Sequence, residues 1–486
     1  MTRNEKKTGA LLPLNALRLG ALVLALGLTA CADMSGIKPQ AGLRDAASLG
    51  LPAGGPAAPV AADWWRAFGD EQLNRLVAQA LDSSPSLKMA QARLARAQSV
   101  IDVARSADKP QLNGSLDMSR QLYTANGLYP PPLGGTVLNS GTLQLNGSWE
   151  LDFFGKNRTA LDTAIGTEKA AQADAQAARI LLSANVARSY FQLARLNDQL
   201  AVAHRTLEQR DETLRLVRDR VQAGLDTRLE LRQSEGGLPE ARQQIEALQE
   251  QMSLTRNALA ALVGQPQLAG SIVPAQMASL HASGVAAVLP ADLLGRRADI
   301  LAARWRVEAA GSDVANAKTL FYPNINLAAF AGVSSFGFNN MFKSGSEQWG
   351  VGPAVRLPIF EGGRLRANLR GKTADLDAAV ESYNAAVIEA VHEVADQVAS
   401  SQSIARQQTQ QAEAQRAAES AYEIAVQRYK AGLGNYLNVL TAETNVLLQR
   451  RQAVDLAARA LDTQVALTRA LGGGFQAQAP AATAQK

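Results

Sequence analysis

The sequence predicts a mostly α-helical chain with a membrane β-barrel. Three observations predict it: the chain is written twice, it holds four stretches of period-two alternation, and it holds two very long runs free of helix breakers. The repeat is visible by eye. "PSLKMAQARLARAQSVIDVARSADKPQLN" (85–113) aligns without gaps to "ADILAARWRVEAAGSDVANAKTLFYPNIN" (298–326), and "WELDFFGKNR" (149–158) matches "VRLPIFEGGR" (355–364). Further on, "RVQAGLDTRLELRQSE" (220–235) matches "RYKAGLGNYLNVLTAE" (428–443), and "LVG" (262–264) matches "LGG" (471–473). A repeat of this size is a structural unit used twice. Each half therefore runs helix, strand, strand, long helix, tight turn, helix.

The strands are predicted at about 112–122 and 142–153 in the first repeat and at about 324–334 and 347–357 in the second. In the second of them Leu143, Leu145, Gly147, Trp149, Leu151 and Phe153 share one face, against Thr142, Gln144, Asn146, Ser148, Glu150 and Asp152 on the other. Each stretch has roughly the 9–11 residues of a tilted transmembrane strand. Gly350, Gly352 and Pro353 make the fourth the weakest. Pro130–Pro132 and the Gly-, Asn- and Phe-rich stretch 335–346 mark the connecting loops.

The helices follow. Residues 167–222 and 372–431 contain no proline, and glycine is absent from both until the turns that end them. Started just after the strands, the long helices span about 155–222 and 361–430, some 70 residues each or roughly 100 Å at 1.5 Å per residue. Both stop at "AGL", where a glycine can take the left-handed conformation that ends a helix. Return helices follow at about 226–263 and 434–471, half as long. The helices ahead of the strands, about 85–109 and 298–320, supply the missing length when stacked on them.

These pieces imply an assembly. A four-stranded sheet has two open edges, and unpaired N–H and C=O groups cannot face hydrocarbon. Other copies of the chain must complete a barrel of eight, twelve or more strands. The helices, continuing from the same strands, must then build a second, α-helical tube on one side of the membrane.

The N-terminus reads as a processing signal. Arg3, Lys6, Lys7 and Arg18 precede or flank the apolar run "LGALVLALGLTA" (19–30), which is too short to span a bilayer. Leu28-Thr29-Ala30-Cys31 resembles the bacterial lipobox, and Cys31 is the only cysteine. That resemblance makes Cys31 the acceptor of a diacylglycerol and an acyl chain, and the absence of Asp after it favours the outer membrane. Removing residues 1–30 takes away four bases and one acid, so the net charge falls from +5 to +2. Basicity is then no argument for a nucleic-acid partner. Residues 31–62, rich in Ala, Gly and Pro, read as a lipidated tether. The predicted division is a signal peptide at 1–30, the tether at 31–62, a first repeat at 63–270, an equatorial linker at 271–297, a second repeat at 298–474 and a tail at 475–486.

The repeat, with "DWWRAFGDEQLNRL" (63–76), "WELDFFGK" (149–156), "RRADILAARWRVEAA" (296–310), "LPIFEGGR" (357–364), "YKAGLGNYLNVLTAE" (429–443) and "ALGGGF" (470–475), resembles the TolC/OprM outer-membrane efflux proteins over essentially all of 63–475. The lipobox and "ALGGG" look most like the lipoprotein branch that serves RND-type pumps. The resemblance implies a homotrimer with a twelve-stranded β-barrel continuing into a long α-barrel. An equatorial domain would come from about 63–84, 265–297 and the C-terminal tail. It also implies a periplasmic adaptor, an inner-membrane RND transporter and outer-membrane lipid as partners, and passage of drugs or other small toxic compounds.

Residue by residue, the resemblance places the adaptor-docking tips at Ala223, Gly224, Leu225, Ala431, Gly432 and Leu433. A tyrosine–acid latch falls on Tyr429 and Glu230, while the arginine of the same latch falls on Gly434 and is lost. The acidic positions that narrow related pores hold Asn438 and Thr441, and Asp226 remains as a candidate gate acid. Aromatic residues Trp149, Phe153, Phe154, Phe321, Tyr322, Trp349 and Phe360 cluster at strand ends, as in a membrane-interface girdle. Trp64, Trp65 and Phe68 suit packing of the equatorial domain.

No enzyme, cofactor or metal site is predicted. "LRGKT" (369–373) lacks the first glycine of a phosphate loop, since Arg366 stands in its place. "HEVAD" (392–396) has Asp396 where a zinc helix needs its second His. Two other readings fit parts of the pattern: a channel serving type I or other ABC-driven export, and a periplasmic coiled-coil scaffold without a pore.

Overall fold

The computed structural model describes residues 34–44, 60–280 and 293–475. The signal peptide, Cys31 and residues 476–486 lie outside the described residues. In order, the chain forms helices α1 (Glu71–Ser83) and α2 (Pro85–Ser106), strands β1 (Gln111–Leu122) and β2 (Val137–Leu151), and helices α3 (Lys156–Gln222) and α4 (Arg228–Val263). A single turn at Leu293–Arg296 leads into α5 (Ala298–Thr319), β3 (Asn324–Phe336), β4 (Glu347–Arg356), α6 (Arg364–Lys430) and α7 (Tyr436–Ala470). Two compact units result. Among the described residues, one holds 34–42, 96–169 and 305–381, and the other holds 43–44, 60–95, 170–280, 293–304 and 382–475.

Element limits depart from the sequence pattern where glycines or capping side chains decide. Helix α6 starts at Arg364, not near 361, because Gly362 and Gly363 take φ of +57° and +85°. Helix α4 starts after Thr227 and α7 after Asn435, each an N-cap whose side chain accepts from a first-turn N–H. Strand β2 begins at Val137, ahead of its clean alternation, because β1 runs to Leu122 and pairs with it there.

In the first unit all pairings are antiparallel, in the order β1-β2-β3-β4. The register sorts side chains onto two faces. Leu145, Ala331 and Trp349 are direct neighbours across three strands, as are Trp149, Leu327 and Pro353. This apolar face is open: Leu145 is 54% exposed and Trp349 78%. The other face carries cross-strand hydrogen bonds. Ser119 bonds Ser140 at 2.8 Å, Thr142 bonds Ser334 at 3.0 Å, and Asn146 donates to Ser115 at 3.3 Å. Gln348 Nε2 reaches over β3 to Gln144 Oε1 at 3.0 Å. It can do so because Gly332 lies between them in the register; a Cβ there would overlap the Leu143 carbonyl and the Gln144 backbone. Two aromatics also sit on this polar face, opposite Asn146 and Ser140: Phe330 and Phe336. Phe336 packs edge-on against Tyr123 at 5.5 Å.

The strand-end aromatics divide. Phe154 stacks on Tyr322 at 5.1 Å, and Trp149 Nε1 donates to the Asp108 carbonyl at 2.9 Å. Phe321 departs from the girdle reading: it is buried with Val314, Leu365 and Leu369, where the strand hands over to a helix.

The stretch read as a tether is held down over part of its length. Met34 and Ile37 join that same apolar cluster, the Arg366 guanidinium donates to the Ser35 carbonyl, and the Gln40 and Ala41 N–H groups donate to Asp377 Oδ1 at 2.9 Å each. In the second unit the Arg44 N–H donates to Asn384 Oδ1 at 3.0 Å.

The second unit has the larger core. Trp64, Trp65 and Phe68 are buried there against α1 residues Leu73, Leu76 and Val77 and α3 residues Tyr190 and Phe191. Asp70 caps α1 through the Leu73 N–H and accepts from the Tyr190 hydroxyl at 3.0 Å. Gly472 and Gly474, in the "ALGGG" run, take φ of +101° and +80°, and a Cβ on either would overlap the backbone of Arg296 or of Ala61. Helix α4 buries Leu238, Ala241, Ile245, Leu248 and Met252, the 3–4 spacing of a left-handed coiled coil. Helix α7 does the same with Tyr436, Val439, Glu443, Val446 and Arg450, so two charged residues occupy its seam.

Candidate functional site: the paired tip turns and their latch

The two tip turns are built alike. After α3, the Leu225 N–H bonds the Arg220 carbonyl at 2.8 Å and the Gly224 N–H bonds Val221 at 3.1 Å. After α6, Leu433 bonds Arg428 at 2.8 Å and Gly432 bonds Tyr429 at 3.0 Å. This double bond pattern is the Schellman motif, and it needs a left-handed residue. Gly224 and Gly432 supply it with φ of +72° and +75°. Ala223 and Ala431 are exposed, and Leu225 and Leu433 stand out at 65% and 69% exposed. One turn further along the return helices, Leu229 and Leu437 are 63% and 60% exposed. The tips thus present four exposed leucines at two pairs of repeat-equivalent positions.

Beside these turns lies a latch whose partners differ from those the sequence suggested. The Tyr429 hydroxyl donates to Asp226 Oδ2, not to Glu230. Glu230 is engaged elsewhere: with Thr227 it forms the capping box that starts α4. Its carboxylate accepts from the Thr227 N–H at 2.9 Å, so it cannot also reach the tyrosine. Asp226 in turn is not a free acid. Arg220 Nε meets its Oδ2 at 2.8 Å and Nη2 its Oδ1 at 3.3 Å, a two-pronged pair. Arg220 Nη1 donates to the Tyr429 carbonyl at 3.0 Å, and its guanidinium lies 4.6 Å from the centre of the tyrosine ring. Arg220 and Asp226 side chains are 12% and 10% exposed, and Tyr429 is fully buried among Val217, Tyr422, Tyr436 and Val439.

The electrostatics follow from the contacts. Desolvation pushes the Asp226 carboxyl up, but the hydrogen bonds from Arg220 and Tyr429 and the Arg220 charge outweigh it, so its pKa lies below the ordinary 3.8. Burial, then the bond to Asp226, raise the Tyr429 phenol well above its ordinary value. At neutral pH the latch is a carboxylate held by one cation and one phenol.

The arginine was missed by sequence reasoning, which looked for it at Gly434. A signal existed in the repeat. The tip sequences "RVQAGLD" and "RYKAGLG" differ at three positions, Val221/Tyr429, Gln222/Lys430 and Asp226/Gly434. The latch takes its acid from one repeat and its phenol from the other, at two of these mismatches. Among the described residues, no group of three or more His, Cys, Asp or Glu side chains is placed to hold a metal ion.

The comparisons agree with this architecture. The outer membrane efflux protein family model matches residues 76–265 and 289–473. The chain is 41% identical over 371 residues to the fusaric acid resistance protein FusA of Burkholderia cepacia, covering 74% of this chain and 69% of that one. It is 32% identical over 421 residues to the putative multidrug resistance outer membrane protein MdtQ of Escherichia coli K12, covering 85% and 88%. Among solved structures, the outer membrane protein VceC of Vibrio cholerae matches with a TM-score of 0.81 and 38% identity over 86% of this chain and all of that one. A repeated strand-and-helix chain with paired tip turns is thus of the channel class found in outer membranes. This chain belongs to the outer membrane efflux protein family.

Proposed function

We propose that this chain is the exit duct of a tripartite RND-type efflux system, a trimer that carries drugs or other small toxic compounds across the periplasm and the outer membrane. The observation that carries the reading is the four-stranded sheet, one face apolar and open, the other hydrogen-bonded and polar, with β1 and β4 at its unpaired ends. Such a sheet is stable in lipid only when other copies close it. Three copies give twelve strands with the polar face lining the pore. Cys31 carries the lipid, three residues ahead of Met34, which packs beside Leu365 at the start of the helix after β4.

In this reading the leucine-bearing tips, Ala223, Gly224, Leu225, Ala431, Gly432 and Leu433, receive a periplasmic adaptor. The latch of Arg220, Asp226 and Tyr429 keeps the tip closed until it docks. Passage is passive and the inner-membrane transporter supplies the energy. Relatives named for fusaric acid resistance and multidrug resistance support small toxic molecules as cargo.

A deletion strain tests the reading. Susceptibility to antibiotics, solvents, dyes and metals should rise for at least one class and return to normal on complementation. An unchanged profile, with no conductance of the purified protein in planar bilayers, would sink it.

A further inference from the structure

Helix α4 carries three helix-weakening residues within four positions, Gly236, Gly237 and Pro239, in "EGGLPE" (235–240). It still runs unbroken from Arg228 to Val263. Pro239 has no N–H to give the Glu235 carbonyl, and its ring crowds that carbonyl. The glycines add backbone freedom at the same place. Neither glycine is demanded by conformation, since neither has a positive φ. Neither is demanded by space. A Cβ on Gly236 would meet nothing within 4 Å, and one on Gly237 would meet the Arg210 side chain at an ordinary 3.5 Å. The folded state shown here would accept alanine at both positions.

One side chain spans this weak point from outside. Arg210, on α3, donates through Nη1 to the Gly237 carbonyl at 2.7 Å and to Glu240 at 3.1 Å, and through Nε to Glu443 on α7 at 2.6 Å. Arg210 is 16% exposed and Glu443 8%. Glu443 sits in the α7 seam between Val439 and Val446, where a charge is tolerated only if paired. The arrangement is not a by-product of the repeat. Continued without gaps, the repeat puts Ala418 opposite Arg210, and Thr444, Asn445 and Leu447 opposite Gly236, Gly237 and Pro239. Helix α7 has neither the weak point nor the bolt.

We infer that Gly236–Pro239 is a hinge in α4 and that Arg210 is the bolt across it, distinct from the tip latch. The segment from the tip turn to Glu235 swings as one piece when the tip opens, and Arg210 must release the Gly237 carbonyl or Glu443 for it to do so. This inference rests on the reading of the chain as a gated duct.

The test uses the full-length protein in planar bilayers, with a thermal melt and complementation of the deletion strain. The double variant G236A/G237A should melt at a higher temperature than the parent, because alanine favours the helix and both Cβ atoms fit. It should nonetheless open about tenfold less often, since two such residues stiffen the bend by about a factor of ten, and it should complement poorly. Arg210→Gln should move opening frequency the other way, and T444A/N445A on α7 should leave it at the parent value. A stiffened variant that is more stable and opens as often as the parent overturns the hinge. So does one that is less stable, because the glycines would then serve packing. A parent protein that never conducts, even with Asp226→Asn at the latch, removes the duct reading itself, a result distinguishable from failure of the hinge alone.

Discussion

Asp226 shows how much one side chain's partners decide. An acid at this place reads from sequence as an exposed charge or as one member of a repelling ring. In the folded chain its two oxygens are shared by Arg220 and Tyr429, and on the proposed reading this cluster is the latch of the tip. Hydrogen bonds to a charged group contribute about 1.5–3 kcal/mol, so Asp226→Asn should loosen the tip by about that much and raise opening frequency. Its pH dependence has a definite sign. The folded pKa is depressed, so the latch's contribution is present above the ordinary carboxylate value and is lost as pH falls through the folded one. Conductance should be level between about pH 5 and 8 and should rise only below about pH 4. A rise near pH 6 would show that another group controls the tip. Tyr429→Phe should loosen the tip less than Asp226→Asn, because Arg220 still holds the carboxylate.

At the scale of elements, the sheet faces give the sharpest contrast. Leu145 and Asn146 are neighbours on β2 but point to opposite faces. An arginine on the lipid face near the bilayer midplane costs about 2–4 kcal/mol. Leu145→Arg should therefore block assembly, whereas Asn146→Arg should assemble and alter conductance. Equal assembly of both variants in an outer-membrane fraction would show the facing to be wrong. Glycines on the strands are not equivalent either. A Cβ at Gly332 overlaps the backbone of β2, while one at Gly352 meets nothing within 4 Å. Gly332→Ala should reduce the folded barrel and Gly352→Ala should not, as read by resistance of the membrane-inserted fraction to protease. Alternation alone shows which residues share a face, but not that Gly332 lets Gln348 reach Gln144.

For the whole molecule, β1 and β4 each leave one edge of the sheet unpaired, and in lipid such an edge would have to be covered by another copy. If three copies close one barrel, β1 of one copy lies beside β4 of the next. Cys31 is the only cysteine, so paired cysteines placed along β1 and β4 can be read without background once Cys31 is replaced by serine. Their oxidation should give a ladder of one, two and three chains, strongest at positions on a common face. A ladder that stops at two would exclude the trimer. The N-terminal stretch also belongs at this scale. Composition marks residues 31–62 as a tether, yet Asp377 and Asn384 hold Gln40, Ala41 and Arg44 by their backbones. Backbone donors carry no compositional signature, so the sequence could not reveal which part of the tether is pinned.

Periodicity and the tip glycines were legible in the residues alone, although the Gly362–Gly363 stop and the Thr227 and Asn435 caps still moved helix starts by two or three residues. Period-two alternation set the strands and their two faces, the long breaker-free runs set the helices, and the "AGL" glycines set the tips. The duplication, visible in residues alone, related each half to the other. What only the tertiary structure decided was partnership across long separations. It paired Asp226 with Tyr429, 203 positions away, whereas the Arg220–Asp226 pair and the Thr227–Glu230 capping box are local contacts that the sequence reading overlooked. The tertiary structure also buried Phe321 among helix residues, and it put Arg210 across the weak point of α4 with Glu443 as counter-charge. The physical reason is range. Local rules act over one or two turns, whereas an ion pair between residues more than two hundred positions apart exists only once the coiled-coil register of both helices has brought them together.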